Sequence, residues 1–272
     1  MQRRVCPLCL LPKQIVRSHL TPQALYRDMR VKDWGVPDPV VVSDGTRAHQ
    51  TSLQITRDLL CSDCEGVLSR DGENYVLREC QREDSFPLQE RLRQAPRVVS
   101  GNTAFFPARE IPGIDVDALT HFAVGVVWKA AVCTWQLGQS KPIRVDLPPN
   151  LLHRARYYLR AGAPLPAEML VSLSVPGETD APAFFTPPKT YALRPFQRIA
   201  FYVPGLEFQI TIGRREELAQ LRESSLSGSQ EGWVRVASAW ELPSVRGMLQ
   251  LTADVEPSAA LGRWLEVATP PN

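Results

Sequence analysis

The sequence predicts an α+β protein in two unequal parts, and three observations carry that reading. The longest apolar stretch runs from Phe122 to Trp135, led in by Asp115 and Asp117, which is the pattern of a buried core helix. Beyond it, short apolar runs of strand length alternate with proline and glycine punctuation. The first 95 residues instead hold five of the six cysteines and two of the four histidines. The expected architecture is a small metal-stapled unit over 1–95, then an α+β domain over 96–272. In the second, a long buried helix lies on a mostly antiparallel sheet. With 272 residues, 44% of them apolar and 22% charged, the chain can bury a real core and does not read as disordered.

In chain order, Cys6-Pro7-Leu8-Cys9 forms a tight turn and Gln14–Leu20 a short strand. Pro22 suits the first turn of a helix over Gln23–Met29 with Thr21 as its cap. Val40–Thr46 reads as a strand entering an Asp44-Gly45 turn and returning through Gln54. Cys61-Ser62-Asp63-Cys64 opens a helix over Glu65–Arg82, with Gly66 and Gly72 as weak points. Residues 87–107 read as a linker. Asp115 or Asp117 then caps a helix through Leu137 that Gly138 ends, and Asn150 caps a second one over Leu151–Ala161, ended by Gly162. Strands follow at Met169–Val175, Ala183–Thr186, Arg198–Val203 and Leu206–Ile212, the last two joined through Pro204-Gly205. A short helix over Glu216–Glu223, a strand over Trp233–Ala239 and a frayed tail over Thr269–Asn272 complete the reading.

Several function classes are excluded early. A net charge of +2 with interleaved acids and bases favours no partner in bulk, so a nucleic-acid site has to be a local patch. Lys13 and Arg17 interrupt any signal-peptide core, and Lys129 and Thr134 make the apolar stretch too polar and too short for a membrane span. A cytoplasmic protein without membrane contact is therefore expected. No G-x-S-x-G, Walker A or G-x-G-x-x-G motif occurs. The helix bearing Arg154, Arg156, Tyr157, Tyr158 and Arg160 reads as a solvated amphipathic helix ahead of a nucleic-acid face.

The cysteines carry the strongest signal. Cys6, Cys9, Cys61 and Cys64 form two Cys-x-x-Cys pairs with 51 residues between them. Each pair sets two thiolates on one turn, and four thiolates close a tetrahedron around zinc. The separation is too long for a compact ribbon, so the metal clamps two distant segments. Four thiolates leave no open position, which makes this zinc structural rather than catalytic. Cys80 and Cys133 are left as apolar thiols.

His19 follows Cys9 by ten positions and leads into Leu20-Thr21-Pro22. The combination Cys-x-x-Cys, His-Leu-x-Pro and a later Cys-x-x-Cys resembles the HNH endonuclease family, also called the ββα-metal or His-Me finger family. More narrowly, it is similar to bacterial proteins with a Ser-His-Ile-Ile-Pro-like motif between zinc pairs. The matching residues are Ser18–Pro22, Cys61–Glu65, Leu68–Glu73 and the Phe122–Ala130 segment. The resemblance implies a β-hairpin whose first strand is ended by the histidine, a helix after the hairpin, and hydrolysis of phosphodiester bonds in DNA or RNA. It also implies a bacterial defence or mobile-element setting. His19 matches the general base, and Glu65 and Glu73 supply hard oxygen ligands for catalytic Mg or Mn. Arg17 and Arg70 supply charge toward nucleic acid. The family's metal-binding aspartate is Ser18 here, Glu65 stands where a histidine or asparagine is common, and Asn74 is the one asparagine on the helix. Glu65 also reads as a first-turn acid favoured by the helix dipole, and His19 as a structural histidine. The alternative function is thus an inactive zinc-containing binding or scaffold module that recognises nucleic acid or a protein partner.

Overall fold

The computed structural model describes residues 4–28, 40–43, 47–50, 53–82, 85–137, 141–177, 184–228, 232–253 and 256–257. The chain opens with β1 (Arg4–Val5), β2 (Pro12–Lys13), β3 (Ile15–His19) and α1 (Gln23–Asp28). Strands β4 (Val40–Ser43), β5 (Arg47–Gln50) and β6 (Thr56–Cys61) follow, and then α2 (Ser62–Leu68). One π-helical turn over Ser69–Glu73 joins α2 to α3 (Asn74–Glu79) without a break. Next come α4 (Pro87–Leu92), β7 (Val98–Ser100), β8 (Thr103–Pro107), α5 (Val116–Val132) and α6 (Pro149–Ala161). The remainder is β9 (Met169–Pro176), β10 (Thr186–Leu193), β11 (Phe196–Val203), β12 (Leu206–Ile212), α7 (Ala219–Arg222), β13 (Trp233–Ala237), α8 (Pro243–Ala253) and β14 (Glu256–Pro257).

The fold is α+β. Seven strands form one sheet in the order β10-β11-β12-β9-β13-β8-β7, antiparallel throughout except for the parallel β13–β9 pair. Along β12 and β11 every second residue turns toward α5, so Phe201 and Phe208 stack on each other at 5.3 Å and meet Phe122 at 5.9 and 5.2 Å. A separate antiparallel pair, β3–β6, runs straight into α2. Helix α5 is buried from Ala118 to Ala131, sheet on one side and the α2–α3 helix on the other. The buried cluster accordingly continues from Cys6 to Val234 across the position between 95 and 96.

Several boundaries differ from the sequence reading. The stretch expected as a linker holds α4, β7 and β8, because Leu88 and Leu92 bury a helical face and Phe106 an alternate strand position. Arg91 in that stretch pairs with the buried Glu79. Asp115, not Asp117, caps α5, accepting the Ala118 N–H at 2.8 Å. That helix stops at Val132 rather than Leu137, since Trp135 pairs its backbone with Ile143 and its indole N–H donates to the Lys129 carbonyl at 2.8 Å. Helix α6 starts slightly earlier than expected, with Pro149 leading and Asn150 inside the first turn, and Gly162 closes it at φ +63°. The strand expected at Ala183–Thr186 is β10, displaced onward; it is an edge strand whose register slips between Thr186 and Lys189, which is how it tolerates Pro187 and Pro188. Helix α8 has no counterpart in the sequence reading. Gly205 makes the β11–β12 turn at φ +80°, and a Cβ there would lie 2.5 Å from the Phe86 ring. The Asp44-Gly45 turn, Met29, Gly138, Ala183 and the tail over 269–272 lie outside the described residues.

Candidate functional site

The two cysteine pairs meet as one cluster. Cys6 and Cys9 sit on the knuckle between β1 and β2, closed by the Leu10 N–H donating to the Cys6 carbonyl at 2.8 Å and the Cys6 N–H to the Leu11 carbonyl at 3.0 Å. Leu10 takes φ 60° to complete that turn. Cys61 ends β6 and Cys64 lies in the first turn of α2. The four sulfurs lie within 4.8 Å of one another, with Cys9 and Cys61 Sγ 3.9 Å apart. Tetrahedral zinc at about 2.3 Å from each sulfur requires sulfur pairs roughly 3.8 Å apart, so the residues fit a metal such as zinc. The Cys61 N–H points at Cys6 Sγ at 3.4 Å, as an amide supporting a thiolate does. Burial pushes the Cys61 and Cys64 thiols up, so cation binding there releases protons. Lys13 pairs with Asp63, and Arg156 of α6 donates to the Leu8 carbonyl at 3.2 Å, tying the knuckle to both helices. Cys80 and Cys133 stand outside the cluster.

Strand β3 lies against α2, and a cavity of about 340 Å³ opens there, lined among others by His19, Gln23, Glu65, Gly66, Ser69 and Glu73. A second cavity of about 340 Å³ shares His19 and Gln23 and adds Arg17, Leu53 and Gln54. His19 therefore stands on the wall between them.

The ring of His19 is fixed by its partner. Its Nε2 lies 2.7 Å from the amide oxygen of Gln54, which only accepts, so Nε2 donates there, and in the neutral ring Nδ1 keeps the lone pair. That is the tautomer a general base requires. The preceding residue, Ser18, is turned inward. Ser18 is fully buried and accepts the Leu60 N–H at 3.1 Å, and its hydroxyl lies beside the Glu65 carboxylate. Burial raises the Glu65 carboxyl above its ordinary range, opposed by the Lys129 charge and the Ser18 hydroxyl. One Glu65 oxygen, Oε1, is buried without a hydrogen-bond partner. An orphaned carboxylate oxygen beside a cavity suits a hard divalent cation.

The helix continues through Gly66 and Gly72 with its π-helical turn, and Glu73 reaches the same cavity as Glu65. There it pairs with Lys129 of α5, whose Nζ is 3.0 Å from Glu73 Oε1 and 2.8 Å from the His19 carbonyl. Lys129 is 1% exposed.

Of the residues singled out in sequence, His19, Glu65 and Glu73 line one cavity, and Arg17 lines the adjoining one, its Nε donating to Thr56 Oγ1 at 3.0 Å. Arg70 is exposed and lines neither, its guanidinium lying over Gly66. Sequence reasoning misses Gln54 and Lys129 as members of the site and reads Ser18 only as the residue where the resembled family has an aspartate. Of the two missed, only Lys129 leaves a trace in sequence, as a charge inside an otherwise apolar helix. On α6, Tyr158 packs against His121 at 5.9 Å and the Arg156 guanidinium lies over the Tyr157 ring, while Arg154, Tyr157 and Arg160 are exposed. Among the described residues no helix is long and apolar enough to cross a membrane. No protein-family model, curated protein or solved structure matches the chain.

Proposed function

We propose that the chain is a metal-dependent endonuclease that hydrolyses phosphodiester bonds in DNA or RNA with His19 as general base. The observation that carries the reading is one shared cavity. It is lined both by His19, whose ring is fixed by Gln54, and by Glu65, one of whose carboxylate oxygens is buried without a hydrogen-bond partner. In the proposed reaction His19 takes a proton from water, the hydroxide oxygen bonds to phosphorus, and the P–O bond to the leaving alcohol breaks. The alcohol oxygen takes a proton from solvent and the imidazolium returns its own. Magnesium or manganese bound at Glu65 would neutralise charge on the phosphate. Arg17, which lines the adjoining cavity with His19, would meet a flanking phosphate. The buried cysteine cluster holds zinc as a brace.

A second reading has its own observation. Lys129 neutralises Glu73, which leaves Glu65 as the carboxylate free for a cation. A zinc-braced module that binds nucleic acid or a protein without cutting is consistent with so small a ligand set. Purified protein incubated with plasmid, single-stranded DNA and RNA in magnesium or manganese separates the two. Cleavage reduced about 10²- to 10⁴-fold by His19→Ala is expected for a lost general base. Cleavage that survives the substitution removes His19 from that role. Absence of cleavage with every metal, in protein carrying zinc, supports the binding module.

A further inference from the structure

A lysine ammonium at 1% exposure inside a helix is costly unless its donors are met by oxygen. Lys129 lies on α5, far from the cysteine motifs in sequence, and yet both of its hydrogen bonds go to the candidate cavity's own residues. One reaches the backbone carbonyl of His19 at the end of β3, and the other the Glu73 carboxylate on the π-helical turn. A backbone carbonyl and a carboxylate oxygen are the ligands that hard cations take. The ammonium group therefore occupies a place of that chemical kind, and its charge is felt at Glu65 as well.

We infer that Lys129 is a positioning residue of this site. It fixes the strand bearing His19 to the helix bearing Glu65 and Glu73. By neutralising Glu73 it also confines divalent-cation binding to Glu65. Lys129 does not line the cavity and does not touch the substrate; it acts through the two groups it holds. Its effect on hydrolysis rests on the nuclease reading, whereas its effect on cation binding does not.

The test is manganese titration, with MnCl₂ alone, of the zinc-loaded full chain, followed by calorimetry and by the paramagnetic signal of free manganese. Lys129→Met releases Glu73 and removes a positive charge, so manganese should bind about tenfold tighter or more. Glu73→Gln keeps the ammonium group with a neutral partner, and binding should weaken by a similar factor. The double variant K129M/E73Q restores neutrality and should fall within about twofold of wild type. Lys129→Arg retains the charge and should bind as wild type does. A general loosening of structure would weaken binding in all four, so the opposite directions of the two single variants are specific to charge positioning. If Lys129→Met does not fold, the comparison of E73Q with K129M/E73Q carries the test: the double variant binds about tenfold tighter. Equal manganese affinity in those two, or in Lys129→Met and wild type, overturns the inference. Cleavage is read separately on the same samples. Its absence in wild type refutes the nuclease reading, and the manganese series alone then decides the role of Lys129.

Discussion

Gly72 sits where the helix carrying both carboxylates crosses α5, and an alanine there measures how closely the two backbones must approach. A Cβ built on Gly72 would lie 2.7 Å from the Phe122 backbone nitrogen and 3.0 Å from its Cα. The first distance is about 0.7 Å short of the 3.4 Å at which ordinary contact begins. The obstacle is backbone, so no rotamer can relieve it and one helix must move. Overpacking of this kind costs about 1–3 kcal/mol. Against it stands the intrinsic preference of helices for alanine, worth up to about 1 kcal/mol. The clash wins, and Gly72→Ala should lose about 1–2 kcal/mol net. Gly125, on α5 itself, provides the reverse case. Its Cβ would meet only the Leu68 and Leu159 methyl groups at 3.6 and 3.8 Å. Propensity should win there, and Gly125→Ala should gain about 0.5–1 kcal/mol. Urea unfolding of both variants, at unchanged slope, gives the two midpoints, and thermal scans should separate them by about 2–4 °C per kcal/mol. Gly72→Ala at or above wild-type stability would show that the two helices are not in contact as described. Because Glu65 and Glu73 ride on the displaced helix, cavity-dependent cation binding should weaken in the same variant.

The remaining predictions concern the brace and one buried histidine. Cys64→Ser removes a ligand that is 1% exposed; zinc content should fall below one per chain and near-UV circular dichroism should collapse, since structural zinc contributes on the order of 10 kcal/mol. Cys133→Ser, outside the cluster, should keep full zinc, and a Cys64→Ser protein with stoichiometric zinc and wild-type melting would reject the four-cysteine site. His121 is buried with its Nε2 on the Leu159 carbonyl and its Nδ1 without a partner, and burial lowers its pKa below the ordinary 6.5. The unfolded chain then binds the proton more readily than the folded one, so this residue's contribution is present above pH 6.5 and is lost as pH falls toward the folded value. His121→Gln can still donate to Leu159, and its Tm should fall less steeply than that of wild type between about pH 7.5 and 5.5; identical slopes would refute the assignment.

Much of the candidate site is legible in the chain because its chemistry lies in short spacings. Two Cys-x-x-Cys pairs state a tetrahedral thiolate site wherever the fold puts them, and the structure brings their sulfurs within 4.8 Å. The strand before His19, the helix after Cys61 and the buried helix from 116 are all readable from apolar periodicity and capping residues, as is the β11–β12 hairpin from Pro204-Gly205. Helix α8 and the displaced β10 are not, because their residues carry mixed patterns that neighbouring elements complete.

Sequence by itself thus pointed to the four-cysteine cluster, the buried helix α5, the β11–β12 hairpin and His19 as the candidate base. Tertiary structure decided what surrounds that base. Gln54 fixes the ring of His19 from 35 positions away, Ser18 turns inward to accept the Leu60 N–H, and Lys129 reaches the His19 carbonyl across 110 positions and Glu73 across 56. The physical reason is the same in each case. Periodicity and motif spacing report which face of an element is buried, whereas a hydrogen-bond partner is chosen by where two elements cross, and no local pattern encodes that crossing. A lysine in an apolar helix says only that an oxygen must be near; the fold says which one.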